Sequence, residues 1–219
     1  MLAFDIETLG VNKRKDLITV ISLYDPSTSP PIARVLRFVD LNEACDVVYC
    51  DDYLETVAEL VKYLNDAEHL CAFNGVSFDI PFIQLQFNIP NATVQNWVLK
   101  TYDILETCRR GFGRTFNLNA ALALNGVGSG KTGSGLEAVH QAQQGRWDEL
   151  CQYCLDDSRL THELSSLPIV LCPEGYKWRK SHGDRTHDPA NVFMINTEMF
   201  PALSFSYGPL PPGAGGGPP

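Results

Sequence analysis

Polar and apolar positions alternate in the opening residues, LAFDIET. Phe4 and Ile6 fall on one side and Asp5 and Glu7 on the other, which is the two-residue period of a strand. Residues 17–24 and 32–39 predict two further strands, and Pro26, Pro30 and Pro31 mark a turn between them, so a meander or hairpin is expected. Across residues 51–65, Leu54, Val57, Ala58, Leu60, Val61 and Leu64 recur at helical spacing. A short apolar run over 69–73 is closed by Asn74-Gly75, a strand and a turn. Residues 79–87 then predict a helix with Pro81 in its first turn, where proline is tolerated. Residues 98–104 read as a fifth strand, and 116–124, 136–144 and 146–164 as helices. From Pro168 the pattern weakens.

These patterns divide the chain into an α/β domain over residues 1–167, an extension over 168–180 and a low-complexity tail over 181–219. The last 13 residues, YGPLPPGAGGGPP, hold five Pro and five Gly. Such a segment has too little apolar surface to offset its ordering entropy and is expected to be disordered. A length of 219 residues with 44% hydrophobic and 20% charged residues suits one α/β domain. No apolar run of about 18 residues is present, so no membrane span is expected. The first residues carry acids where a secretory signal needs a basic start.

The net charge of −9 disfavours tight coating of nucleic acid. It leaves room for two basic clusters, Lys13, Arg14 and Lys15, and Arg109, Arg110 and Arg114, either of which could meet a phosphate backbone or simply be solvated. The seven cysteines are Cys45, Cys50, Cys71, Cys108, Cys151, Cys154 and Cys172. Their odd number, without a secretory signal, predicts reduced thiols in an intracellular protein, cytoplasmic or nuclear. Cys151 and Cys154 have CxxC spacing but no second Cys or His pair, so packed helical side chains are expected there. NGVGSGKTGSG fails as a P-loop. Counting back from Gly130-Lys131-Thr132 puts Asn125 where the first glycine belongs, and the preceding residues read as helix rather than strand. A glycine-rich connector is expected instead.

Several acids sit where a core should be. Asp5 and Glu7 share one face of an apolar strand, and burying two carboxylates is costly without compensation. Asp79 opens a helix after an apolar strand and turn, where a helix cap is the simpler role. In RWDELCQYCLDDSRLTHEL, Leu150, Tyr153, Cys154, Asp157, Leu160, Thr161 and Leu164 follow one helical stripe. Asp157 therefore faces inward, and Asp156 is turned about 100° toward solvent. Carboxylates converging from three segments suit hard cations such as Mg²⁺ or Mn²⁺.

With these residues in view, the sequence resembles the DEDD 3′–5′ exonucleases. Asp5-Ile6-Glu7 is similar to their DxE motif, Asn74-Gly75-Val76-Ser77-Phe78-Asp79 to N-x3-F-D, and Tyr153-Cys154-Leu155-Asp156-Asp157 to Y-x3-D. The wording AFNGVSFDIPF is similar to proofreading domains of family B DNA polymerases and to stand-alone relatives. One branch of the group has His five residues before the last acid, and here that position is Gln152. Tyr153 stands four residues before it, so the chain resembles the tyrosine (DEDDy) branch.

The resemblance implies an RNase H-like fold, a mixed five-stranded sheet flanked by helices. It also implies hydrolysis of phosphodiester bonds with two divalent cations, Mg²⁺ or Mn²⁺, from single-stranded or frayed 3′ ends, DNA favoured, releasing 5′-monophosphates. By the same resemblance Asp5 bridges the ions, Glu7 and Asp157 hold the water-bearing one, and Asp79 supports the other. Tyr153 orients the attacking water, Asn74 and Phe78 shape the terminal-nucleotide pocket, and Thr8 and Leu9 touch the last base or sugar. A proofreading role would require a polymerase or helicase partner chain. The competing readings are an exoribonuclease and a non-catalytic nucleic-acid-binding or scaffold domain that keeps the fold.

Overall fold

The computed structural model describes residues 1–128, 135–173, 177–178, 185–186 and 192–196. Its first strand, β1 (Leu2–Thr8), pairs antiparallel with β2 (Ile18–Asp25), which pairs antiparallel with β3 (Ile32–Arg37). A small hairpin follows, β4 (Val39–Leu41) with β5 (Val47–Tyr49). The apolar run expected as one strand over 32–39 is thus divided at Phe38, whose N–H turns to the Thr19 carbonyl at 2.9 Å.

Helix α1 (Tyr53–Asp66) leads to β6 (Leu70–Ala72), parallel to β1, and then to α2 (Asp79–Phe87) and α3 (Asn91–Leu99). Strand β7 (Thr101–Asp103) lies parallel to β6 and completes the sheet, in the order β3-β2-β1-β6-β7. Helices α4 (Ile104–Phe112), α5 (Leu118–Asn125), α6 (Gly135–Gln143) and α7 (Trp147–Ser165) come next. The remaining strands are β8 (Ile169–Pro173), β9 (Lys177–Trp178), β10 (Arg185–Thr186) and β11 (Val192–Asn196). The five-stranded mixed sheet with helices on both faces is the α/β architecture expected from the sequence.

The two faces of β1 belong to different cores. Leu2, Phe4 and Ile6 pack with Leu60 and Leu64 of α1, Ile80, Phe82 and Ile83 of α2 and Trp97 of α3. Each such side chain stabilises the fold by about 1.5–3 kcal/mol on full burial. Ala3 faces the other way, against Tyr102, Leu122, Leu160 and Leu164. Asp5 and Glu7 share that second face, beneath α7, as their alternation with Phe4 and Ile6 requires.

One further expectation needs correction. Residues 98–104 are not one strand: Val98 and Leu99 end α3, and only Thr101–Asp103 pairs with β6. Strand β8 puts Val170 and Cys172 into the second core, so packing continues past residue 167. Strand β11 lies inside the segment assigned to the tail and pairs antiparallel with β8 from Val192 to Asn196. Its sequence, VFMIN, is an apolar run within otherwise polar and Gly/Pro-rich surroundings. The glycine-rich connector falls largely on residues 129–134, and the final Pro/Gly run on 207–219, both outside the described residues.

Candidate active site

Strand β1 has two kinds of neighbour. β2 follows it along its length, whereas β6 stops at Ala72 and pairs only with Leu2 and Ala3. The Ile6 N–H therefore lacks a strand carbonyl on that side, and the Asp79 carboxylate accepts it at 3.1 Å. Asp79 is the first residue of α2, and the N-cap is Phe78. The capping role offered by the sequence is thus not the one the side chain takes.

The turn that delivers Asp79 is fastened from below. Asn74 adopts φ 72°, and Gly75 lies so close to the sheet that a Cβ there would sit 2.5 Å from the Ala72 Cβ. Asp103, buried at the end of β7, accepts the N–H groups of Asn74 at 3.0 Å and Val76 at 2.9 Å. The same carboxylate caps α4 through the Glu106 N–H at 2.9 Å. From above, Lys13 Nζ donates to the Ser77 carbonyl at 2.6 Å and lies 5.7 Å over the Phe78 ring. Phe78 in turn packs against Phe82 with ring centroids 5.3 Å apart. Arg109 donates to the Asn74 Oδ1 at 3.0 Å and the Ser77 Oγ at 3.1 Å. Its guanidinium also pairs with Glu106 at 3.1 Å, and Arg110 pairs with the same carboxylate at 2.6 Å.

The third segment arrives on α7, which crosses β1 and β2. Ser22 of β2 donates to the Cys154 carbonyl at 2.7 Å and shares a 2.6 Å hydrogen bond with Ser158. The fully buried Cys154 thiol lies 3.5 Å from the Asp5 carbonyl and 3.3 Å from the Ser22 hydroxyl. These contacts fix the rotation of α7 so that Asp157, one turn later, is buried, while Asp156 pairs with Arg159 at 3.1 Å on the outer side. Tyr153 is half-buried against Leu150 and Ala142. Thr8 and Leu9 leave the strand after a bulge. The Thr8 hydroxyl donates to the Gly10 carbonyl at 2.6 Å and the Leu9 N–H to the Leu17 carbonyl at 2.9 Å.

Carboxylate oxygens of Asp5 and Glu7 and the Cys154 sulfur lie within 4.8 Å of one another. Burial pushes the Asp79 carboxyl up to about 7, and the charge of Asp103 adds to the effect. Burial likewise pushes the Cys154 thiol well up, reinforced by Asp5, Glu7 and, more weakly, Asp157. The thiol packs against the Asp5 carbonyl and the Ser22 hydroxyl, and the carboxylate oxygens beside it are the donors that suit a hard cation. The paired oxygens of Asp5 and Glu7, sheltered beneath α7, are donors that fit a hard divalent cation, and Asp79 stands at the edge of the same strand.

A family model of the RNase H superfamily matches residues 2–167. The chain belongs to the RNase H superfamily. Among solved structures it is similar to the family B DNA polymerase of the hyperthermophilic archaeon Pyrobaculum calidifontis, with 17% identity and a TM-score of 0.55. The similarity covers 75% of this chain but only 24% of the polymerase. No curated protein matches the chain. RNase H superfamily membership accords with the acid-bearing β1 at the centre of the mixed sheet.

Sequence reasoning missed three supports of this RNase H superfamily site. Asp103 was readable as a cap, because Asp103 and Glu106 have the D-x-x-E spacing of a helix start. The Ser22, Cys154 and Ser158 contacts join residues more than 130 positions apart, and no local pattern announces them. Arg109 was assigned to a basic cluster, yet it serves the Asn74 turn.

Proposed function

We propose that this chain is a metal-dependent 3′–5′ exonuclease of the DEDDy type, hydrolysing single-stranded or frayed 3′ ends, with DNA as the favoured substrate, to release 5′-monophosphates. The observation that carries the reading is the arrangement of acids around β1. Asp5 and Glu7 lie on its buried face, Asp79 at its open edge and Asp157 on the helix above. In this reading the four carboxylates hold two divalent cations, Mg²⁺ or Mn²⁺. When bound, such ions lower the pKa of water and neutralise charge on the leaving oxygen. Tyr153 orients the attacking water, since a phenol with an ordinary pKa of about 10 is a poor base. Phe78, backed by Phe82, offers a ring to the terminal base. Asn74 shapes the pocket through its turn, because its amide oxygen already accepts Arg109. Thr8 and Leu9 border the last sugar. A partner polymerase or helicase would supply the 3′ end in a proofreading role.

The test uses DNA and RNA oligonucleotides of one sequence, labelled at the 5′ end, with Mg²⁺, Mn²⁺ or EDTA. Ladders shortening from the 3′ end, lost in EDTA, are expected with DNA. Ladders on RNA alone would make it an exoribonuclease. No cleavage of either, with binding retained, would make it a binding domain.

A further inference from the structure

Most arginines with described side chains are tied to carboxylates. Arg34 pairs with Glu59, Arg37 with Asp40, Arg146 with Glu137 and Arg159 with Asp156. The loop joining β1 to β2 is different. It carries Lys13, Arg14 and Lys15 in succession, and among the described residues neither Arg14 nor Lys15 forms a salt bridge. The loop is nonetheless well fixed. Lys15 and Asp16 donate their N–H groups to the Asn12 carbonyl at 2.9 and 2.8 Å. Its one acid, Asp16, is turned onto the loop's own backbone: its carboxylate accepts the Asn12 N–H at 2.7 Å. Gly10 runs against the same carboxylate, which leaves no room for a Cβ.

Beside this loop is an open concavity of about 370 Å³, lined by Lys13, Arg14, Lys15, Asp16, Tyr49 and Leu85 among others, so three cations face it against one acid. Lys13 is its link to the acids, because its ammonium reaches the turn before Asp79. Tyr49 is 48% exposed and Leu85 51% exposed. Tyr53 backs the tyrosine ring with centroids 4.5 Å apart. Cations at one wall and a supported aromatic at the other match a single strand, whose phosphates need positive charge and whose bases stack on rings. Tyr49 also borders a second concavity, of about 580 Å³, with a different character. There Arg34 and Arg37 are neutralised, and Asp51 and Asp52 add negative charge that repels a phosphate chain.

We propose that the groove between the Lys13–Arg14–Lys15 loop and Tyr49 binds the phosphodiester backbone of a single-stranded nucleic acid, upstream of the 3′ nucleotide held by the acids. The inference rests on the exonuclease reading. It adds the path of the strand and an end to its footprint, at Tyr49.

The test is fluorescence anisotropy of the full chain with a 5′-labelled, phosphorothioate-protected 12-residue oligothymidylate and Mg²⁺, across a salt series. Each phosphate contact contributes about 0.7 to the slope of log affinity against log salt for a single strand. Replacing both Arg14→Ala and Lys15→Ala should lower the slope by about 1.4 and weaken binding about tenfold at low salt. Tyr49→Ala should weaken binding about tenfold with the slope unchanged. Arg34→Ala alters net charge in the same direction as either loop substitution, and should leave affinity, slope and catalysis as they are. An unaltered slope in the loop variant, or an equal loss in Arg34→Ala, overturns the groove. Turnover of the p-nitrophenyl ester of thymidine 5′-monophosphate by the unaltered chain reports on the acids alone. Its absence would sink the exonuclease reading, while the salt slope still decides the groove.

Discussion

The Asp79 carboxylate takes the Ile6 N–H at 3.1 Å, filling the place a strand carbonyl would occupy had β6 continued. One hydrogen bond thus joins the two acidic motifs across 73 residues and sets Asp79 beside the strand that carries Asp5 and Glu7. Burial, with the charge of Asp103 beside it, lifts the pKa of this acid to about 7, against the opposing pull of the Ile6 N–H.

Metal-free stability should therefore depend on pH through Asp79. Its folded pKa of about 7 stands above the ordinary value of 3.8. Between these values the folded state holds a proton that the unfolded state has lost, so stability is greatest at the acidic end and falls as pH rises toward 7. Asp103 is shifted in the same direction by burial. Asp79→Asn removes only the first contribution. In EDTA, the melting temperature of the native sequence relative to Asp79→Asn should decline from pH 5 to 7 and level by pH 8. A constant difference would mean that Asp79 does not titrate in this window.

Asp157 and Asp156 should behave oppositely under substitution. Asp157→Ala should cost several orders of magnitude in the proposed hydrolysis, since a lost ligand disturbs the ion that activates water. Asp156 makes an exposed pair with Arg159, a contact worth little. Asp156→Ala should stay within about tenfold, a barrier change of about 1.4 kcal/mol. Tyr153→Phe should fall between them. Single-turnover hydrolysis of one oligonucleotide, with circular dichroism as a folding check, ranks the three. A dead Asp156→Ala beside an active Asp157→Ala would reverse the assigned rotation of α7.

Asp103 is the keystone of the second motif's turn. Asp103→Ala leaves three N–H groups without their acceptor. Bonds to a charged group are worth about 1.5–3 kcal/mol each, so a loss on the order of 3–5 kcal/mol is expected after relaxation. Asp103→Asn keeps the oxygen that serves Asn74 and Glu106 and should cost about half as much. Urea unfolding measures both. Two variants within 0.5 kcal/mol of the native chain, about the size of a neutral surface change, would show that the turn holds itself.

The CxxC pair should be chemically quiet. Cys154 is fully buried with its thiol pKa pushed well up, and burial also raises that of Cys151. Cys45 is exposed. An aromatic disulfide reagent should label Cys45 first in the native protein, with Cys154 reacting only on unfolding. Mass-mapped adducts on Cys154 at the rate of Cys45 would contradict its anchored position.

Much of the sheet was legible because its signals are local. The alternation of Phe4, Asp5, Ile6 and Glu7 gives both the strand and its faces, and the stripe from Leu150 to Leu164 gives the burial of Asp157. Helix α3 was not legible: within NATVQNWVL only Trp97 is fully buried, so no apolar stripe marks it. Helix α4 begins directly at the end of β7, and its apolar start prolongs the strand pattern through Ile104. The acids of the candidate site were visible as motifs. Their supports were not, because Ser22 with Ser158 and Asp103 with Asn74 are tertiary bonds between ordinary polar residues.

The chain order of these elements also sets when the site can exist. Asp5 meets Cys154 across 149 residues, and Asp157 lies one turn further on. A ribosome adding about 5–20 residues per second needs roughly 7–30 s to pass from one to the other. Throughout that interval the growing chain carries Asp5 and Glu7 without the helix that closes over them. The acid cluster is completed only when α7 has been made and has docked, so any chemistry these acids support must wait until nearly all of the RNase H superfamily domain has been synthesised.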